Sequence, residues 1–159
     1  MNQIFEGLYV GSQEDEPDQD MFCIHAAKNP FHCDAVGYKG NLDKSHENYL
    51  MLERPGNLYL NLIDPPFKLA GEYTDPIFKR AILFIAEAIV DDKEVLVRCN
   101  KGLSRSPSII MAFMAKSGMI TNESFKKSKA EFTKDFYPEY EPGQGISLYL
   151  EENWKILTN

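Results

Sequence analysis

Cys99-Asn100-Lys101-Gly102-Leu103-Ser104-Arg105-Ser106 is the stretch that decides the fold. An apolar run, Val95-Leu96-Val97, precedes it, and Pro107-Ser-Ile-Ile-Met-Ala-Phe-Met-Ala-Lys116 follows at helical composition. The order is strand, eight-residue loop, helix. A loop feeding a helix N-terminus presents unpaired N–H groups and the positive end of the helix dipole, so it is an anion site. A thiol placed there is pushed toward thiolate: free cysteine titrates near pH 8.5, and such surroundings bring it to roughly 3.5–7.5. Gly102 permits the backbone turn that aims successive N–H groups inward. The Arg105 fork suits a tetrahedral oxyanion bidentately. Ser106 can hydrogen-bond the sulfur, and Pro107 suits a first helical turn. Cys99 is therefore a candidate nucleophile inside a phosphate cradle made by residues 100–105.

Working outward, strands alternate with helices, which implies an α/β fold with a central, mostly parallel sheet flanked by helices on both faces. Ile4 to Gly11 reads as two short extended pieces around Glu6-Gly7. Residues 13–20 are acidic and broken by Pro17, as expected of a solvated loop. Further strands are expected at 21–27, 49–52 and 58–63. Asp64-Pro65-Pro66 ends the last of these. Ile77, Ala81, Phe84, Ile85 and Ala88 recur at helical spacing, and that helix is expected to start near Asp75-Pro76, with Thr74 or Asp75 as cap. Two more helices are expected at 122–134 and 145–157, and Gly118 ends the one after the loop.

The chain has 159 residues, 43% hydrophobic and 26% charged, with a formal charge of −7. One domain over 1–159 is expected, and the acidic balance argues against nucleic acid or an anionic membrane as partner. Three cysteines without framework spacing point to a reducing, cytoplasmic setting. His25, His32 and Cys33 match no compact zinc pattern, so neither a metal nor an organic cofactor is expected. Lys101 reads as a solvated rim residue, and Lys126, Lys127, Lys129 and Lys134 as an ordinary polar helix face. Tyr137, Tyr140, Tyr149 and Trp154 are expected to pack against the last helix.

Cysteine, five residues, arginine, then serine resembles the signature loop of the cysteine-dependent protein tyrosine phosphatase superfamily. Gly102-Leu-Ser-Arg-Ser-Pro107 is similar to its dual-specificity branch in particular. Glu6-Gly-Leu-Tyr-Val-Gly-Ser12 resembles that family's opening hairpin, the Asp64 loop its middle, and Pro142-Gly-Gln-Gly-Ile146, loosely, the segment before its final helix. The resemblance covers most of the chain, strongly at 94–117 and weakly at 28–56. It implies a dual-specificity-phosphatase-like fold and a phosphocysteine on Cys99, with Arg105 binding phosphate. Asp64 is then the general acid, since it ends a buried strand before a proline-rich loop; Asp75, its rival, fits a helix cap better.

The implied substrate is a phosphoprotein. No segment resembles the recognition loop of the tyrosine-specific enzymes, so phosphoserine and phosphothreonine are expected besides phosphotyrosine. A phosphate-binding pseudophosphatase and a phosphatase for RNA 5′ ends or phosphoinositides are the alternatives. The chain is taken as a monomer by default. Cys23 or Cys33 could serve as a thiol that resolves oxidised Cys99. In one respect the chain departs from the family: the usual histidine before the cysteine is Arg98. Strand alternation points Arg98 away from the phosphate, and a buried arginine needs a carboxylate or carbonyl partner.

Overall fold

A computed structural model describes residues 1–159. Six strands form one mixed sheet. In chain order they are β1 (Asn2–Phe5), β2 (Leu8–Gly11), β3 (Phe22–His25), β4 (Met51–Arg54), β5 (Asn57–Leu60) and β6 (Val95–Arg98). Their spatial order is β1-β2-β6-β3-β5-β4. The four inner strands are parallel to one another, and β1 and β4 close the edges as antiparallel partners of hairpins. Antiparallel edge strands on a parallel centre are common in such sheets. β6 lies between β2 and β3 and is buried along its whole length, which explains its unbroken apolar run.

Helices α2 (Gly71–Val90), α3 (Arg105–Lys116), α4 (Phe125–Asp135) and α5 (Gln144–Thr158) follow the strands. Val95, Val97, Ile24, Leu58 and Leu60 join residues of these helices in a core of 37 buried side chains. The long helices thus share one face of the sheet. The opposite face carries Cys23, His25, Leu96 and Arg98, and its cover is slight. A helical turn at Lys28–His32 that continues into α1 (Cys33–Val36) supplies Phe31 against His25, with ring centroids 5.4 Å apart. Helices therefore flank both faces as expected, but very unequally. No helix is long and apolar enough to cross a membrane.

Several boundaries differ from expectation: β5 stops at Leu60 rather than 63, so Asp64 lies in the loop after it and not at a strand end, and α4 begins at Phe125 rather than 122. β4 begins at Met51 rather than Tyr49, because the two-residue Pro55-Gly56 turn pairs Arg54 with Asn57 and fixes the register. Helix α2 starts at Gly71, so Asp75 and Pro76 lie inside it and Asp75 is no cap. Pro76, the sixth residue of the helix, forfeits the bond its N–H would make to the Glu72 carbonyl and crowds that carbonyl. Packing compensates: Thr74 is buried, Tyr73 meets Tyr49 edge-on at 5.6 Å, and Asp75 accepts a hydrogen bond from the Tyr149 hydroxyl. Helix α4 has a side-chain cap, Ser124 Oγ accepting from Lys127 N at 3.1 Å. It is tied to α5 where the Trp154 indole N–H donates to Ser128 Oγ at 2.9 Å.

Candidate active site

Cys99 leaves the C-terminal end of β6, and Arg105 opens α3, so the loop between them sits where ligands bind in parallel sheets. Cys99 is 2% exposed. Its Sγ lies 3.2 Å from Ser106 Oγ and accepts from Ser106 N–H at 3.5 Å. The N–H groups of Asn100 through Arg105 donate to no other group of the protein, leaving six donors free at the start of α3. Gly102 has φ +77°, and a Cβ there would meet the Gly11 carbonyl oxygen at 2.9 Å. Only glycine fits both the conformation and the approach.

Arg105 is held on two sides. Nη1 donates to the Leu62 carbonyl at 2.9 Å, and Nη2 donates to Asn100 Oδ1. Asn100 is itself fixed through Nδ2 to Gln13 Oε1 and the Asn29 carbonyl, at 2.9 and 2.8 Å. Arg105 Nε is buried and has no partner. Burial lowers the arginine pKa while Cys99 and Asp64 raise it; a guanidinium remains charged at neutral pH regardless. A buried donor without an acceptor is costly, so Nε is a donor left unspent by the protein's own groups.

A cavity of about 480 Å³ has Asp64, Cys99, Lys101, Ser104, Arg105 and Gly143 in its wall. Asp64, from the loop after β5, and Cys99, after β6, thus reach one space although 35 residues separate them. Lys101 is exposed at the rim. Asp75 lies in helix α2 and is engaged by Tyr149, outside this wall.

Several supports of the site were not read from the sequence. Tyr137, expected as simple packing, donates its hydroxyl to the Gly102 carbonyl at 2.9 Å. Glu141 N–H donates to the Leu103 carbonyl at 2.8 Å, and Gly143 N–H to Ser104 Oγ at 2.9 Å. A Cβ on Gly143 would collide with Asp64 Oδ1. The segment before α5 therefore clamps the Cys99–Arg105 loop and lies against Asp64. Gly143 at the start of α5 and Gly145 in its first turn are the available signal of so close an approach.

Arg98 points to the opposite face, as alternation requires. Nη1 donates to the Asp15 carbonyl at 2.7 Å and is 3.3 Å from the Glu16 carboxylate. Both expected partner types are present, and the acidic 13–20 loop is thereby more than a solvated connection. Nε donates to His25 Nδ1 at 3.1 Å, so His25 carries its proton on Nε2 and donates to Asn57 Oδ1 at 2.9 Å. The guanidinium carbon stands 4.3 Å from the Phe31 ring centroid. Burial, then the Arg98 charge, pushes the His25 pKa down to about 4, against the raising effect of Asn57.

The remaining sequence candidates are dispersed. His32 binds the Tyr38 hydroxyl at 2.6 Å and the Asn48 carbonyl at 2.9 Å, apart from His25. Cys23 lies beside His25, its Sγ 3.7 Å from Nδ1, with its pKa pushed up to about 12 by burial. It is on the sheet face opposite Cys99, so the sheet itself separates the two thiols.

Comparison with known proteins agrees with this architecture. The family model described as the dual specificity phosphatase catalytic domain matches residues 25–138. Mouse dual specificity protein phosphatase 12 is 32% identical over 72 residues, 45% of this chain and 20% of that protein. The Plasmodium falciparum dual specificity protein phosphatase YVH1 is 30% identical over 109 residues, 63% of this chain and 17% of that protein. The matched regions thus span about a fifth of these relatives. Among solved structures, that of DUSP15 superposes with a TM-score of 0.64 at 21% identity, covering 97% of this chain and 86% of that one.

Proposed function

We propose that this chain, which belongs to the dual specificity phosphatase catalytic-domain family, hydrolyses phosphate monoesters on proteins through a phosphocysteine. The observation that carries the reading is Cys99 and Arg105 in the wall of one cavity, beside six free loop N–H groups and a guanidinium whose Nε has no partner in the protein. Those donors hold the three non-bridging oxygens of a phosphate and leave phosphorus facing the sulfur.

In the first step the Cys99 thiolate attacks phosphorus as the ester P–O bond breaks. The departing oxygen takes a proton from the Asp64 carboxyl, so the leaving group is a neutral alcohol or phenol. In the second step water attacks the phosphocysteine, the Asp64 carboxylate accepts its proton, and the P–S bond breaks. Inorganic phosphate leaves and the thiolate returns, steadied by the Ser106 hydroxyl. Arg105 and the loop amides act where charge builds on the equatorial oxygens. Phosphotyrosine, phosphoserine and phosphothreonine proteins are the substrate class.

Release of inorganic phosphate from an aryl phosphate tests the mechanism. Wild-type protein should turn over, and Cys99→Ser should fall by at least about 10³-fold, since the nucleophile is lost. Equal rates in the two proteins would refute a cysteine mechanism. Phosphate binding without turnover in wild type would instead identify a pseudophosphatase.

A further inference from the structure

A second cavity, of about 420 Å³, opens next to the catalytic one. Leu62, Leu69 and Ile77, all buried, contribute to its wall, and Tyr49 and Tyr73 stand there edge to face. The dividing wall is a single run of chain. Leu62 and Ile63 line this cavity, Asp64 lines the catalytic one, and the Leu62 carbonyl is the group that receives Arg105 Nη1. Across the mouth, Lys28 lines the second cavity while its neighbour Asn29 holds the loop residue Asn100.

The mouth has two unusual properties. Ile63 and Phe67, on either side of Asp64-Pro65-Pro66, are 39% and 61% exposed, so apolar surface continues from one cavity toward the other. The charge is also inverted relative to the molecule. The chain carries −7 overall, yet Lys28 and Lys44 line this cavity and no carboxylate does. Glu47 and Glu72 line the separate depression on the other side of Lys44. Neither lysine belongs to an ion pair: Lys28 Nζ donates to Asn41 Oδ1 at 2.5 Å, and Lys44 Nζ sits 5.1 Å from the Tyr73 ring centroid.

We infer that this cavity is a substrate subsite, receiving a large apolar side chain of the phosphoprotein while Lys28 and Lys44 hold an acidic residue beside it. The inference rests on the phosphatase reading and names what that site prefers. An extended peptide advances roughly 3.3–3.6 Å per residue, so side chains two or three positions from the phosphorylated residue are the ones that cross a wall one chain thick. The apolar side chain supplies affinity by burial, and the lysines select against basic flanks.

The test compares phosphotyrosyl peptides bearing Glu-Leu two and three positions from the phosphotyrosine, on either side, with Ala-Ala counterparts and with an aryl phosphate. Wild type should favour one Glu-Leu peptide by about tenfold in kcat/KM, what partial burial of one apolar side chain supplies. Ala70→Leu narrows the cavity from an exposed helix-start position that makes no side-chain cap bond. Lys44→Glu reverses the charge at its mouth. Each should cut the preference to within about twofold through KM, leaving aryl phosphate hydrolysis unchanged.

No Glu-Leu preference in wild type, or a preference that survives both substitutions, overturns the subsite. So does a phosphoinositide in phosphatidylcholine vesicles that outperforms every peptide and loses its advantage in Ala70→Leu, because the occupant is then an acyl chain. Aryl phosphate hydrolysis that is indifferent to Cys99→Ser would refute the phosphatase reading separately, whatever the peptides show.

Discussion

Strand β6 serves two different neighbourhoods at once. Toward the long helices it presents Val95 and Val97, then Cys99, and everything there is either close-packed hydrocarbon or loop donors awaiting an anion. Toward the thin cover it presents Leu96 and Arg98, and there the polar groups are already satisfied by Asp15, Glu16, His25 and, through His25, Asn57. One face keeps its hydrogen-bonding capacity unspent for a ligand, whereas the other uses it to bind the molecule to itself. Substitutions of the loop residues on the first face should therefore remove activity at little cost in stability, and those of Arg98 and its partners on the second should do the reverse.

The largest effect is expected at Arg105. Lysine keeps the charge but cannot present Nε and two Nη groups in one plane. Arg105→Lys should lower kcat/KM for an aryl phosphate by about 10²–10³-fold, with an unfolding midpoint close to wild type. A variant that keeps its activity would mean that the unpaired Nε has no part in holding the transferred group. Next comes Gly102→Ala, whose Cβ would meet the Gly11 carbonyl at 2.9 Å in a left-handed conformation. The loop must shift, and a fall of about 10²-fold is expected for such displacement of reacting groups. This substitution also sharpens the contrast, because it strikes the seam where the loop touches β2: about 1–3 kcal/mol of stability should go with the activity.

Such seams mark where sequence reading stops. The loop, its strand and its helix were legible because each rests on local chemistry: an apolar run, a glycine, an Arg-Ser-Pro entry to a helix. Asp64 was legible as the residue before two prolines that follow an apolar strand, although β5 itself stops at Leu60 and Asp64 lies in the loop beyond it. The clamp on the loop was not, because Tyr137 reaches Gly102 and Gly143 reaches Ser104 across 35 and 39 residues. Nothing local marks a tyrosine as a donor to a distant carbonyl. The start of α2 was misplaced for a similar reason. Pro76 reads as a helix opening, yet Tyr73 and Thr74 are held in helical form by packing that propensity does not encode. For Arg98 the kind of partner followed from the cost of burying a charge, while His25 became visible only through the β3–β6 register that sets it opposite Arg98.

On the second face, Arg98→Ala should cost about 2 kcal/mol of unfolding free energy, measured by urea titration, because the Asp15 carbonyl and His25 Nδ1 lose their donor. Turnover by the folded fraction should fall by less than about tenfold. A loss of 10²-fold or more with unchanged stability would erase the division between the faces and make Arg98 part of the chemistry.

The smallest effect is a pH dependence of stability. His25 titrates near 6.5 when unfolded and near 4 in place, where burial and the Arg98 charge keep it neutral. Below pH 6.5 the unfolded chain takes up a proton that the folded chain refuses, so stability falls as pH falls, and the loss is complete only below pH 4. From pH 7 to pH 5 this one group should remove about 2 kcal/mol. His25→Gln cannot titrate, so wild type should lose about that much more than the variant over the same interval in paired urea titrations. Parallel losses would mean that His25 takes up its proton without disturbing Arg98. The second face would then be a looser assembly than its hydrogen bonds imply, and the 12–16 loop would depend on Arg98 alone for its hold on β6.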